Sequence, residues 1–157
     1  MSALSPSPID ELGRLLDTIA MRKDDGSRFH CRELRPRAPD RLGEVCALLR
    51  LSPRDCALSP VHAQAPDDLR RWLLKPMRGS ATQSWLGSAL FDDFIARLHA
   101  LAGEAPHWWR LSRDIHAPLR PALGAVWDAF VADAGDEGAW LILCTWEGAA
   151  DPFATPA

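Results

Sequence analysis

Apolar residues recur along this chain with two different periods. From residue 8 to 22 they fall at Ile9, Leu12, Leu15, Leu16 and Ile19, the three- and four-residue steps of one helical face, and Ser7-Pro8 supplies a hydroxyl cap and a proline at the first helical position. The turn signal Asp24-Asp25-Gly26 ends that helix. Residues 27–35 then alternate, with Phe29 and Cys31 to one side and Arg28, His30 and Arg32 to the other, which predicts a strand with one wet face at or near a sheet edge. Pro39 can open a helix over about 40–50 whose inner stripe is Leu42, Val45, Cys46 and Leu49. Ser52-Pro53 stops it and starts a short turn through Cys56 and Leu58, and residues 59–65 carry no clear period.

Pro66-Asp67-Asp68 has the proline and acidic first turn of another helix start, with Leu69, Trp72 and Leu73 as its buried stripe before Pro76. Beyond a polar connector at 77–83, the clearest helix spans 84–102. Trp85, Leu86, Ala89, Leu90, Phe94, Ile95, Leu98 and Leu101 share its face, and Gly103 follows where a left-handed cap is favoured. Residues 107–112, His-Trp-Trp-Arg-Leu-Ser, suit a strand. After a connector punctuated by prolines, Leu123, Val126, Trp127, Phe130 and Val131 predict a helix over about 119–134, closed by Gly135.

The most apolar run is residues 139–146, Ala-Trp-Leu-Ile-Leu-Cys-Thr-Trp. If extended it is apolar on both faces, so it reads as a middle strand covered on both sides, with 27–35 and 107–112 as its neighbours. Residues 1–6 and 149–157 read as frayed tails around a single domain covering 1–157. The expected fold is α+β, about five helices packed on a sheet of about three strands. An all-α bundle with the last apolar run as a buried helix is the alternative, because a short run is not assigned by periodicity alone.

Composition supports one core. At 157 residues, 47% hydrophobic and 25% charged, the chain needs no metal or disulfide to fold. No stretch has signal-peptide character or approaches a membrane span, and Cys31, Cys46, Cys56 and Cys144 form no CxxC pair or disulfide framework, so a cytoplasmic protein with reduced thiols is expected. Sixteen Arg against two Lys point to a GC-rich, bacterial coding background. Residues 1–78 carry 14 basic and 11 acidic side chains, residues 79–157 carry 4 and 10, so the halves differ in sign.

Candidate chemistry is sparse. Phosphate-loop, dinucleotide, zincin, serine-hydrolase and calcium-loop signatures are absent, which lowers the expectation of those activities without excluding an enzyme. His107, Asp114, His116 and Cys144 are metal-ligating types at no recognisable spacing, and surface histidine and buried thiol explain them better; no metal and no cofactor are expected. Asp92 and His99 sit too far apart along a helix for a direct hydrogen bond, and Asp93 with Arg97 forms an i, i+4 pair of a solvated face, so no catalytic residue is assigned. His30 and Cys31, adjacent in a strand, point to opposite faces and make no nucleophile pair.

Two groups remain as candidate partner-binding residues. Arg28, His30 and Arg32 share a strand face suited to carboxylates or phosphates, with a solvated basic face as the plain explanation. Trp108 and Trp109 cannot both face one core, which places one of them, with Arg110 and Arg113, at a groove or interface unless the sheet is covered on both sides. The expectation drawn from these is stoichiometric binding to another protein with an acidic surface, as an adaptor, secretion chaperone or toxin-immunity protein. The alternative is an enzyme or small-ligand domain with an arginine-lined site for an anion. No membrane is implied, and the net charge of −3 argues against nucleic acid.

Overall fold

The cap anticipated at Ser7 forms: its hydroxyl oxygen accepts the Asp10 amide at 3.3 Å and starts α1 (Pro8–Lys23). Asp24, in the left-handed region, ends the helix by donating its amide to the Ala20 carbonyl. In a computed structural model that describes residues 4–61, 67–75, 84–103 and 106–154, the chain continues through β1 (Ser27–Leu34), α2 (Arg41–Leu49), β2 (Cys56–Val61), α3 (Asp67–Leu74), α4 (Ser84–Ala102), β3 (His107–Arg113), β4 (Val126–Asp133) and β5 (Ala139–Trp146). Asp40 caps α2 through a 2.9 Å bond to the Gly43 amide. The architecture is α+β, four helices with one five-stranded antiparallel sheet in the order β1-β5-β4-β3-β2. Among the described residues no helix is long and apolar enough to cross a membrane.

Strand pleating sends alternate side chains to two covered faces. Phe29, Trp108, Phe130, Trp140, Ile142 and Cys144 meet α1, α3 and α4, where Leu12, Leu16, Leu69, Trp72, Phe91, Phe94 and Leu98 are buried. Leu34, Leu111, Ala129, Val131, Leu141 and Leu143 meet the thinner second layer, made of Val45 and Leu49 of α2 with Leu123, and Phe153 packs against it partly buried. Seven of the eight residues of β5 are buried, as expected for a strand covered twice.

Several expectations are corrected. The helix over 119–134 does not form; a 3-10 turn at Pro121–Leu123 leads into β4. The apolar spacing there fits both periods, but Val126, Trp127, Phe130 and Val131 are β-branched or aromatic. Gly124, at φ +81, also breaks a helix, and a Cβ on it would sit 2.3 Å from the Trp146 carbonyl oxygen. β4 is therefore the middle strand, and it separates β5 from β3, the neighbour expected for it; the pairing of β5 with β1 is as expected. The turn through Cys56 and Leu58 is instead strand β2, where Pro60 is tolerated because the strand lies at the edge. Four helices and five strands replace five and three.

Residues 149–154 are not a frayed tail. The Ala149 amide donates to the Ala122 carbonyl at 2.9 Å, the Arg120 guanidinium donates to the Pro152 carbonyl, and Pro152 is buried. In α4 the inner face includes Phe91, which the stripe omitted, and leaves Ala89 exposed. The side chains of Trp85 and Leu86, the connector 77–83 and residues 62–65 lie outside the described part.

Candidate functional site

The two groups of candidate residues lie far apart on the sheet. β1 carries Arg28, His30 and Arg32 at one edge, and β5 and β4 stand between it and β3. Arg28 and Arg32 are exposed and form no ion pair among the described residues. Phe153 folds over this row: its ring meets the His30 ring edge-on at 5.9 Å and lies 4.7 Å from the Arg32 guanidinium carbon. Burial lowers the His30 pKa; Asp17 and Asp151 oppose that, while Arg28 and Arg32 add to it.

On β3, the adjacent tryptophans divide between the two covered faces. Trp108 is 2% exposed among the residues under α1, α3 and α4, and Trp109 is half-buried against the second layer. Arg110 shares the Trp108 face and is held by a fixed set of partners. Its guanidinium makes a forked contact with Asp128, at 2.8 Å and 3.0 Å from Nη2 and 3.1 Å from Nε, and also pairs with Asp68. Trp72 Nε1 donates to the second Asp128 oxygen at 2.8 Å. Although burial opposes its charge, the bonds and charges of Asp128 and Asp68 raise the Arg110 pKa. Two carboxylates already satisfy this guanidinium, so it is a tie between α3 and the sheet.

Arg113 differs. Its guanidinium donates to the Ala117 carbonyl at 3.0 Å and has no carboxylate partner among the described residues. It lines a cavity of about 250 Å³ with Arg50, Arg120, Leu119, Ser52 and Cys56, and Asp55 is the one acidic residue of that lining. Arg120 spends its donors on the carbonyls of Leu49 and Pro152, and burial, followed by repulsion from Arg50, lowers its pKa. Three arginines and one acidic residue thus line this space. Beside it the β3–β4 connection presents Ile115 and Leu119, 83% and 69% exposed.

Sequence reasoning reached Arg113 but not Arg50 or Arg120, which come from the end of α2 and from a loop 70 residues away. Exposed aliphatics inside a segment already read as a connector, Ile115 and Leu119, were the signal available. A larger cavity of about 550 Å³ lies alongside, lined by Ser59, Arg110, Ser112, Arg113, Val126, Trp127 and Asp128. His107, Asp114, His116 and Cys144 are not gathered, and among the described residues no group of three His, Cys, Asp or Glu side chains is placed to hold a metal. Comparison with family models, curated proteins and solved structures finds no match.

Proposed function

We propose that this chain acts by stoichiometric binding to another protein, as an adaptor, secretion chaperone or toxin-immunity protein, and that it offers an acidic partner the face around Arg50, Arg113, Ile115 and Leu119. The observation that carries this reading is the lining of one cavity by Arg50, Arg113 and Arg120 with a single acidic residue, next to two aliphatic side chains held in solvent. Arginine ringed by apolar contact is a common anchor of binding energy. Uncompensated positive charge also speeds encounter with an acidic surface. The Arg28 to Arg32 row is a second cationic face, partly occupied by Phe153.

The test is capture of a binding partner from the native host by tagged chain, followed by affinity measurement with that partner. The double variant R50E/R113E is expected to weaken a one-to-one complex by about a hundredfold, on the scale of hot-spot substitutions. R28E/R32E is expected to leave it within about threefold. Equal loss in both variants would move the site to β1; recovery of no partner, with turnover of a small molecule by the pure chain, would replace the reading altogether. A small anionic ligand is the second reading, favoured by the small volume of the arginine-lined cavity, about 250 Å³. It predicts that inorganic phosphate or citrate raises the melting temperature of the wild type and not of R50E/R113E.

A further inference from the structure

The ladder between β3 and β4 stops halfway. Its pairs run from His107 with Asp133 to Arg110 with Phe130. Past that point residues 111–113 pair only with Cys56, Ala57 and Leu58 of β2, and residues 126–129 pair only with Leu143 to Trp146 of β5. The sheet is therefore forked. One arm is β2 with the end of β3, the other is the start of β4 with β5 and β1, and the cavity of about 550 Å³ lies between them.

Each arm has one side of its backbone without a ladder partner. Such edges are templates for another strand, and folded chains normally shorten, charge or cover them. Here they face each other inside a sheet. Three residues on one arm and four on the other match an extended segment of about 10–13 Å. The side chains around the opening narrow its chemistry. Arg110 is saturated by Asp128 and Asp68, whereas Arg113 has no carboxylate partner among the described residues and lines both this cavity and the arginine-lined one. Val126, 41% exposed, adds an apolar contact at the mouth.

We infer that the fork receives an extended, acidic segment of the protein partner, which pairs backbone to backbone with residues 126–129 and sets a carboxylate on Arg113. This rests on the proposed protein-binding function and specifies its mode: strand addition, in which main-chain bonds supply affinity and one charged position supplies selectivity. The connection bearing Ile115 and Leu119 joins the two arms, so the strand site and the docking face are continuous.

The experiment uses the full chain and a phage library of random linear heptapeptides. Selected sequences should carry Asp or Glu among β-branched residues. A synthetic peptide of the consensus should slow amide hydrogen exchange at residues 126–129, the arm with which it pairs. N-methylation at one set of alternate peptide residues should cost about tenfold or more in affinity, and at the other set little, because only one set faces the ladder. R113E, selected against the same library, should favour Lys or Arg in place of Asp or Glu. The inference fails if no sequence is enriched, if protection appears outside the fork, or if N-methylation has no alternating effect. Protection confined to the connection at 114–121 would remove strand addition while leaving the docking face in place, so the two readings fail separately.

Discussion

Lys23 is 4% exposed, an unusual place for an ammonium group. It survives there because it donates to the carbonyls of Trp72 and Lys75 near the end of α3 and lies 3.7 Å from Asp25, which joins the end of α1 to α3. Burial nevertheless lowers its pKa, against the pull of Asp25. The unfolded chain then holds this proton to higher pH than the folded chain does. In the window between the lowered pKa and 10.5 the unfolded state binds more protons, so stability contributed at Lys23 rises with pH and levels off above 10.5. Cys31 and Cys46, pushed up to about 12 by burial, act in the opposite sense above pH 9, because the unfolded chain releases protons that the folded chain keeps. Comparing wild type with K23M cancels most of the cysteine contribution. Urea unfolding between about pH 8 and 10.5 should show the wild type gaining stability relative to K23M as pH increases. A flat difference would mean that Lys23 titrates as it does in the unfolded chain.

At the scale of elements, the strand-rich C-terminal half depends on how β4 is entered. Gly124 adopts φ +81 and bridges to Trp146, with the Trp146 carbonyl oxygen and the Gly148 amide in the space a side chain would take. G124A is expected to lose about 2–3 kcal/mol, from backbone strain and displacement of the β5 end together, read as a fall in the urea midpoint with little change in slope. The same residue explains why this segment was misread. Leu123, Val126, Trp127, Phe130 and Val131 satisfy a helical period, and a glycine within such a pattern is often tolerated. Only the approach of the residue 146–148 backbone shows that this glycine turns the chain instead. For α1, α2 and α4 the period had no competitor, since the cap at Ser7, the start signal at Pro39 and the long amphipathic run of α4 agreed with it. In β2, Pro60 and a half-exposed pattern concealed a strand that exists because β3 offers it an edge.

For the whole molecule, the opposite charges of the two halves turn inward on each other. Arg37 pairs with Asp136, and Arg41 reaches Asp133 at 3.4 Å. Part of the asymmetry that suggested an acidic partner is thus used within the fold, and among the described residues Arg50 and Arg113, like Arg28 and Arg32 on β1, keep no carboxylate partner. The halves are also interleaved in the sheet, where β1 from the start of the chain pairs with β5 from its end along eight positions. Neither half can keep its core without the other. Tryptophan fluorescence and far-ultraviolet circular dichroism should therefore report one coincident unfolding transition in urea. Separate midpoints would mean that the layer of α2, Leu123 and Phe153 melts on its own.

The sequence by itself determined the helices whose apolar period and caps agreed, the two-faced character of residues 139–146, the pairing of that run with residues 27–35, and the α+β class. Those features are local, or follow from burial that a single strand records on its own face. The tertiary structure alone decided that 126–133 is the middle strand, that residues 149–154 are anchored, and that the β3–β4 ladder opens into a fork. It also decided which arginines are free. Arg110 and Arg113 are three residues apart and look alike in the sequence, but one meets Asp68 and Asp128 and the other meets a cavity with Arg50 and Arg120. Partners such as Asp68 and Arg50, 42 and 63 residues away along the chain, leave no trace in local spacing, because what they respond to is distance in the fold.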